Sequence, residues 1–154
     1  LQSTIGAARF LMFYESHRDE YTISTDPTRL DRDVIFNYLN RDAYWARGRP
    51  RAVIEKSIAH SENFGVYKNA AQVGFARVIT DYATFAYLCD VFILPEHQGH
   101  GLGKWLLETI LAHPELQGLR LWYLRTRDAH GLYRQFGFTE LRDPTRSMER
   151  PGTL

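Results

Sequence analysis

Three alternate glycines, Gly99, Gly101 and Gly103, stand between the apolar run Val91-Phe92-Ile93-Leu94-Pro95 and a set of leucines at helical spacing that begins at Leu102. Glycines between a strand end and a helix start let backbone N–H groups converge on an anion, with the positive end of the helix dipole behind them. The chemistry this suits is the binding of a diphosphate. Two common phosphate loops do not fit. A Walker loop needs Gly where Gln98 stands, five residues before Gly103, and Ser or Thr where Trp105 follows Lys104. A dinucleotide fingerprint needs a third glycine at position 104, which is Lys, and an initial parallel βαβ unit that the upstream sequence does not provide.

A second segment able to do chemistry is Leu132-Tyr133-Arg134-Gln135-Phe136-Gly137-Phe138, where a tyrosine precedes Gly137 by four residues. His97 and His100 flank the first loop without a third ligand at any usual spacing, so they read as solvated side chains and no metal is predicted. Cys89 lies inside a continuous apolar strand, where a thiol is inert. With one cysteine there is no intrachain disulfide, and a reducing, cytoplasmic location is expected.

The elements that must position these residues follow from spacing. Glu20 to Thr25 reads as a strand. Asp31 is placed to cap a helix running through Asn40, with Leu30, Val34, Ile35, Tyr38 and Leu39 as its apolar stripe, and a second helix fits Arg51 to His60. The connection Asp42-Ala43-Tyr44-Trp45-Ala46-Arg47-Gly48-Arg49-Pro50 is aromatic and basic, and its Gly and Pro resist regular structure. It is a candidate binding loop. Phe64 to Tyr67, Gln72 to Thr80 and Thr84 to Leu94 read as an antiparallel meander that Pro95 stops. Leu102, Leu106, Leu107, Ile110 and Leu111 predict a helix ending before Pro114. Leu119 to Thr126 predicts a strand, and Asp128 is placed to cap a short helix ending at Phe136. Gly137 suits its left-handed C′ position, and Phe138 to Leu141 returns to extended structure.

At 154 residues with 44% apolar content the chain supports one core, and no linker or repeat divides it. Nineteen Lys and Arg against eighteen Asp and Glu leave a charge of +1, without the bulk field of a nucleic-acid or membrane binder. The first residue is Leu and no Met precedes Met12, so residues 1–11 are expected to be a remnant of expression or processing. The cluster Phe10 to Tyr14 is too short for the apolar part of a signal peptide.

Gln98-x-x-Gly101-x-Gly103 after a strand and Pro95, with Tyr133 ahead of Gly137-Phe138, resembles the acetyl-CoA signature of the GNAT superfamily of N-acetyltransferases over about Thr84 to Leu141. The resemblance implies an α/β fold: a mostly antiparallel mixed sheet, helices on both faces, and two splayed central parallel strands. Residues 12–154 would then be a single acetyltransferase domain. It implies that an amine attacks the thioester of acetyl-CoA directly, in a ternary complex, with CoA as product. Val91, Phe92 and Ile93 would pair with the pantetheine amides, and a backbone N–H near Phe92 or Ile93 would meet the oxyanion. Gln98, Gly99, His100, Gly101, Leu102, Gly103 and Lys104 would hold the diphosphate. Thr126 and Tyr133 complete the cofactor set, and Tyr133 is the implied general acid.

Segments bordering the acceptor cleft in the resembling fold supply Tyr44, Trp45, Arg47, Arg77, Asp81, Tyr82 and Tyr87. Aromatics with both signs of charge suit a small amine that also carries a carboxylate, such as an amino acid or short peptide, better than a polyamine. Polyamine-type members carry Leu-Glu-Asp where this chain reads Leu88-Cys89-Asp90. A thiol in an apolar strand is a poor base. Asp90 is the nearest carboxylate, and strand alternation turns it to the opposite face unless a bulge intervenes. Asp90 therefore stands either as a catalytic carboxylate or as a structural acceptor, with proton removal expected through water polarised by Asp90 or Tyr87. An acyl-CoA-binding module without turnover and an O-acyltransferase stay open as alternatives. Exposed strand edges suit a homodimer.

Overall fold

The computed structural model describes residues 12–153, so residues 1–11 lie outside it. The chain runs β1 (Glu15–Arg18), β2 (Tyr21–Ser24), α1 (Arg32–Asn37), a π-helical turn (Tyr38–Asp42), α2 (Arg51–Ala59), β3 (Glu62–Lys68), β4 (Ala71–Thr80), β5 (Phe85–Ile93), α3 (Leu102–Leu111), β6 (Leu121–Leu124) and α4 (His130–Arg134). Among the described residues, six strands lie in sequence order in one sheet. The pairs from β1 to β5 are antiparallel, and β5 pairs with β6 in parallel.

Helices cover both faces. The amphipathic α3 buries Leu102, Trp105, Leu106, Leu107 and Ile110 against Phe64, Val66, Val78, Ala86 and Leu88. On the other face Ile35, Leu39, Ile54 and Ile58 of the α1–α2 region close over Phe75 and Phe92. Each such side chain, fully buried, favours the fold by about 1.5–3 kcal/mol before conformational entropy is counted. The capping expected of Asp31 is present, its carboxylate accepting the N–H groups of Asp33 and Val34.

Several expectations change. The helix read through Asn40 converts to a π turn at Tyr38, and a hairpin strand, β1, precedes the first expected strand. Asp128 does not cap α4; Thr126 Oγ1 accepts the Ala129 N–H instead, while Asp128 pairs with Arg127. Gly137 does take the left-handed conformation, with φ of 86°. Phe138 to Leu141 forms no strand, so β6 is the outermost strand among the described residues rather than a central one.

Candidate active site

Two features of β5 build the site. Its pairing with β6 covers only Phe85–Leu88 against Leu121–Leu124. Beyond Leu88 the parallel neighbours separate, and the following residues of β5 have no strand on that side among the described residues. Leu94 N–H donates to Val73 C=O on β4 at 2.8 Å, so alternation turns the amides of Ile93 and Val91 toward the open side. A free row of N–H and C=O groups suits a ligand that is itself a chain of amides.

The second feature is a bulge. Phe75 pairs with Phe92 and Arg77 with Cys89, so Ala76 alone opposes Asp90 and Val91. Asp90 sits in the left-handed region with φ of 53°, a conformation Asp tolerates better than most residues. The extra residue resets the alternation. Ala86, Leu88 and Ile93 face α3, whereas Phe92 faces the α1–α2 layer. There Phe92 stacks on Tyr38 with centroids 3.9 Å apart, which fixes the strand end. Gly74 permits the close approach of β4: a Cβ there would lie 2.9 Å from the Phe92 carbonyl oxygen and 2.6 Å from Ile93 Cδ1.

Because of the bulge, the Asp90 carboxylate turns toward Arg77 and the α1–α2 loop instead of away from them. It is buried and accepts from Arg77 Nε at 2.8 Å, Arg49 Nη1 at 3.2 Å and Trp45 Nε1 at 3.1 Å. Arg77 also donates to Ser61. Cys89 lies beside it, and burial pushes its thiol up to about 12, which keeps it neutral.

After β5 the chain turns into α3 through the glycine loop. Gln98 Nε2 donates back to the Ile93 carbonyl at 2.9 Å, tying the loop to the strand end. Gly99 and Gly101 have φ of 81° and 74°, and a Cβ at Gly99 or Gly103 would meet nothing within 4 Å. The space in front of these backbone groups is open, as a diphosphate needs, and side chains there would fill it. Leu102 points its side chain into the core, and His100 and Lys104 are exposed. Arg18 on β1 brings Nη1 to 4.0 Å from where a Gly101 Cβ would stand, while its guanidinium lies over the Trp105 ring. Arg18 carries no local signal in the sequence, because its position depends on the pairing of β1 with β2.

A cavity of about 760 Å³ opens beside β5. Of the residues expected there, Tyr44, Trp45, Arg77, Tyr87, Asp90, Val91, Thr126 and Tyr133 line it together. Arg47 does not line it and is exposed; its neighbour Arg49 reaches inward instead. Asp81 and Tyr82 stay at the β4–β5 turn. The Thr84 hydroxyl, then the N–H groups of Thr84, Ala83 and Phe85, donate to Asp81 and hold its carboxyl well below the usual range, and Tyr82 donates to Glu62. Arg125, Arg127 and Asp128 were missed, and they enter the lining from the loop after β6. Tyr133 is half-buried, and its hydroxyl has no hydrogen-bond partner among the described residues. Burial, then the nearby Tyr44 phenol, pushes its phenol up to about 12, so it holds its proton throughout the physiological range.

Known proteins match this arrangement. A family model described as an acetyltransferase (GNAT) domain covers residues 59–140. A protein of Gibberella zeae described as an acetyltransferase is 34% identical over 149 residues, spanning 82% of this chain and 83% of its own. A crystal structure of a Xanthomonas campestris protein assigned to the GNAT family superposes with a TM-score of 0.84 at 50% identity, covering 86% of this chain and 93% of that one. A GNAT-family acetyltransferase of Elizabethkingia anophelis, solved with acetyl-CoA bound, shares the fold at a TM-score of 0.58 and 16% identity, covering 79% and 78%. The chain belongs to the GNAT family of acetyltransferases, whose acyl donor is acetyl-CoA, and the open strand edge and glycine cradle suit that donor.

Proposed function

We propose that the protein transfers the acetyl group of acetyl-CoA to a primary amine of a small molecule or peptide by direct attack, with Tyr133 as the general acid. Bound acetyl-CoA supplies the activated thioester. The observation that carries the reading is that the Tyr133 hydroxyl, without a protein partner, shares one cavity with the start of the open edge at Val91. Amides of β5 that face the open side align the donor and present an N–H to the developing oxyanion, which removes much of the entropic cost of bringing the reactants together.

An alkylamine with pKa near 10.4 is about one part in 10³ neutral at pH 7, so proton removal matters. Asp90 is an unsuitable base in this reading, because Arg77, Arg49 and Trp45 already occupy its oxygens. It serves as the anchor of the bulge. Cys89 is excluded as a base by its raised pKa, and the proton leaves through water beside Tyr87.

Arg49, Arg77, Arg125 and Arg127 line the cavity against Asp90 and Asp128. That surplus of cations favours an amine that also carries a carboxylate, such as an amino acid or short peptide, over a polyamine. The test is release of CoA thiol, with product mass, across amino acids, short peptides, polyamines and alcohols. Acetylated amino acids or peptides are the expected products. Reaction of polyamines alone, or of alcohols alone, would overturn the assignment.

A further inference from the structure

Tyr44 and Trp45 are consecutive, yet they are fastened to opposite banks of the cleft. Trp45 Nε1 donates to Asp90 on β5 at 3.1 Å, and Arg49 from the same loop adds a bond to that carboxylate at 3.2 Å. Tyr44 reaches the other bank: its hydroxyl accepts the backbone N–H of Arg127 at 3.2 Å, and the Arg127 guanidinium lies 3.6 Å from its ring centroid. Arg127 follows β6, so these two attachments span the gap that opens where β5 and β6 stop pairing.

The segment between the attachments is stiff. The two rings meet edge to face at 5.1 Å and 87°. Ala43 and Ala46 are buried beneath them, and the backbone closes on itself through Ala46 N–H to Ala43 C=O, Arg49 N–H to Ala46 C=O and Gly48 N–H to Asn40 C=O. Asn40 Nδ2 adds a bond to the Arg49 carbonyl. A segment that bonds internally and is tied at both ends holds its shape without a ligand.

We propose that Tyr44 and Trp45 form a strap across the cleft that determines specificity among amino-acid and peptide amines, admitting those whose amine sits on an unbranched carbon, as in glycine, an N-terminal glycine or a lysine side chain, and excluding α-amines with a large side chain on that carbon. The inference rests on the amine reading of the site. The physical basis is steric: both rings line the cavity that also holds Tyr133. For the amine to approach the thioester, the carbon next to it must pass under two aromatic rings whose positions are fixed from both sides. A group that cannot pass has to break the Arg127 or Asp90 attachments first. Discrimination of this steric kind is worth about 10–200-fold per extra group in a pocket that cannot relax.

Cys89, the one cysteine of the chain, lines the same cavity and provides a readout independent of acetyl transfer. Its modification is to be timed at mildly alkaline pH, the same in every protein because burial holds the thiol neutral near pH 7, with methyl methanethiosulfonate and with a bulky aromatic methanethiosulfonate, in the parent, Tyr44→Ala, Tyr44→Phe and Trp45→Phe proteins. Acetyl-CoA affinity and melting temperature verify folding in each. The ratio of bulky to small rate should rise at least tenfold in Tyr44→Ala. It should rise less in Tyr44→Phe and Trp45→Phe, which keep a ring and lose one attachment. In parallel, kcat/KM for amines with a bare and a branched neighbouring carbon should shift toward the branched amine by a similar factor in Tyr44→Ala. An unchanged labelling ratio in a folded Tyr44→Ala that binds acetyl-CoA would overturn the strap. A changed ratio with no amine acetylated by any variant would uphold the strap and overturn the amine reading.

Discussion

Replacing Tyr133 by Phe removes one hydroxyl and little else. The ring packs edge to face on Phe138 with centroids 5.9 Å apart, and that contact survives the change. The hydroxyl has no protein partner among the described residues to lose. Its loss should therefore appear in the reaction and not in the fold. With the phenol at about 12 and a thiol of ordinary pKa near 8.5, complete proton transfer to the departing thiolate would run about 5 kcal/mol uphill. Tyr133 must then contribute mainly by donating a charge-assisted hydrogen bond as the sulfur becomes anionic, an interaction worth about 1.5–3 kcal/mol. That converts to a fall in kcat of about 10–150-fold in Tyr133→Phe. The assay is thiol release under saturating acceptor, with acetyl-CoA affinity from calorimetry alongside. Affinity should stay within a few-fold, since the bond forms as charge develops. A thioester with a more acidic leaving thiol should narrow the gap between Tyr133→Phe and the parent. An unchanged kcat, or a deficit equally large with the more acidic leaving group, would remove Tyr133 from the role of acid.

Gly101→Glu places a carboxylate at a left-handed position in the cradle, where φ is 74°, and should abolish acetyl-CoA binding by calorimetry; binding as tight as the parent would show that the diphosphate sits elsewhere. Cys89→Ala should keep most activity, because the buried thiol stays protonated, and kcat/KM should rise with pH toward the pKa of the acceptor; a folded Cys89→Ala that binds acetyl-CoA and turns nothing over would contradict this. His113 is buried, packs its ring edge to face with Tyr14 and Phe64, and accepts the Glu115 N–H through Nδ1. Burial lowers its pKa below the ordinary value near 6.5, so between those two values the unfolded chain binds the proton and the folded protein does not. Stability should accordingly fall as pH drops below about 6.5. The fall should be shallower in His113→Asn, which can still accept the Glu115 N–H, and urea unfolding at pH 7 and pH 5.5 measures the difference.

What the sequence revealed depended on whether a single local rule decided the outcome. The glycine loop and Asp31 were legible because backbone conformation and capping are settled within a few residues. The helical stripe of α3 was legible because one sheet face accepts it. Asp90 was not, because its direction depends on a bulge, and the bulge arises from the register between β4 and β5, a relation between distant residues. The same limit explains Arg49. Two arginines flank Gly48, and only the packing of the loop decides that Arg49 turns to Asp90 while Arg47 faces solvent. Asp128 does not cap α4 because the helix starts one residue later than spacing suggests, with Ala129 at the cap position and its N–H held by Thr126 Oγ1. Phe138 to Leu141 has strand-forming residues, but a strand needs a partner in register, which its place after α4 does not provide among the described residues.

The short parallel pairing of β5 with β6 also makes local stability uneven. The antiparallel strands β3, β4 and β5 are long and covered on both faces, whereas β6 has four residues paired on one side and α4 has five. Opening fluctuations concentrate where protective bonds are fewest, so amides of β6 and α4 should exchange with solvent well before those of β4. A ligand filling the gap lends its binding energy to this region, about 2.7 kcal/mol at a hundred times its Kd. Tyr133 lies on α4 and Arg127 just before it, so the proposed acid and one anchor of the proposed strap belong to the part expected to firm up when the donor binds. Donor binding should thereby stiffen the acceptor side, and in the proposed reaction this favours an order in which acetyl-CoA enters before the amine.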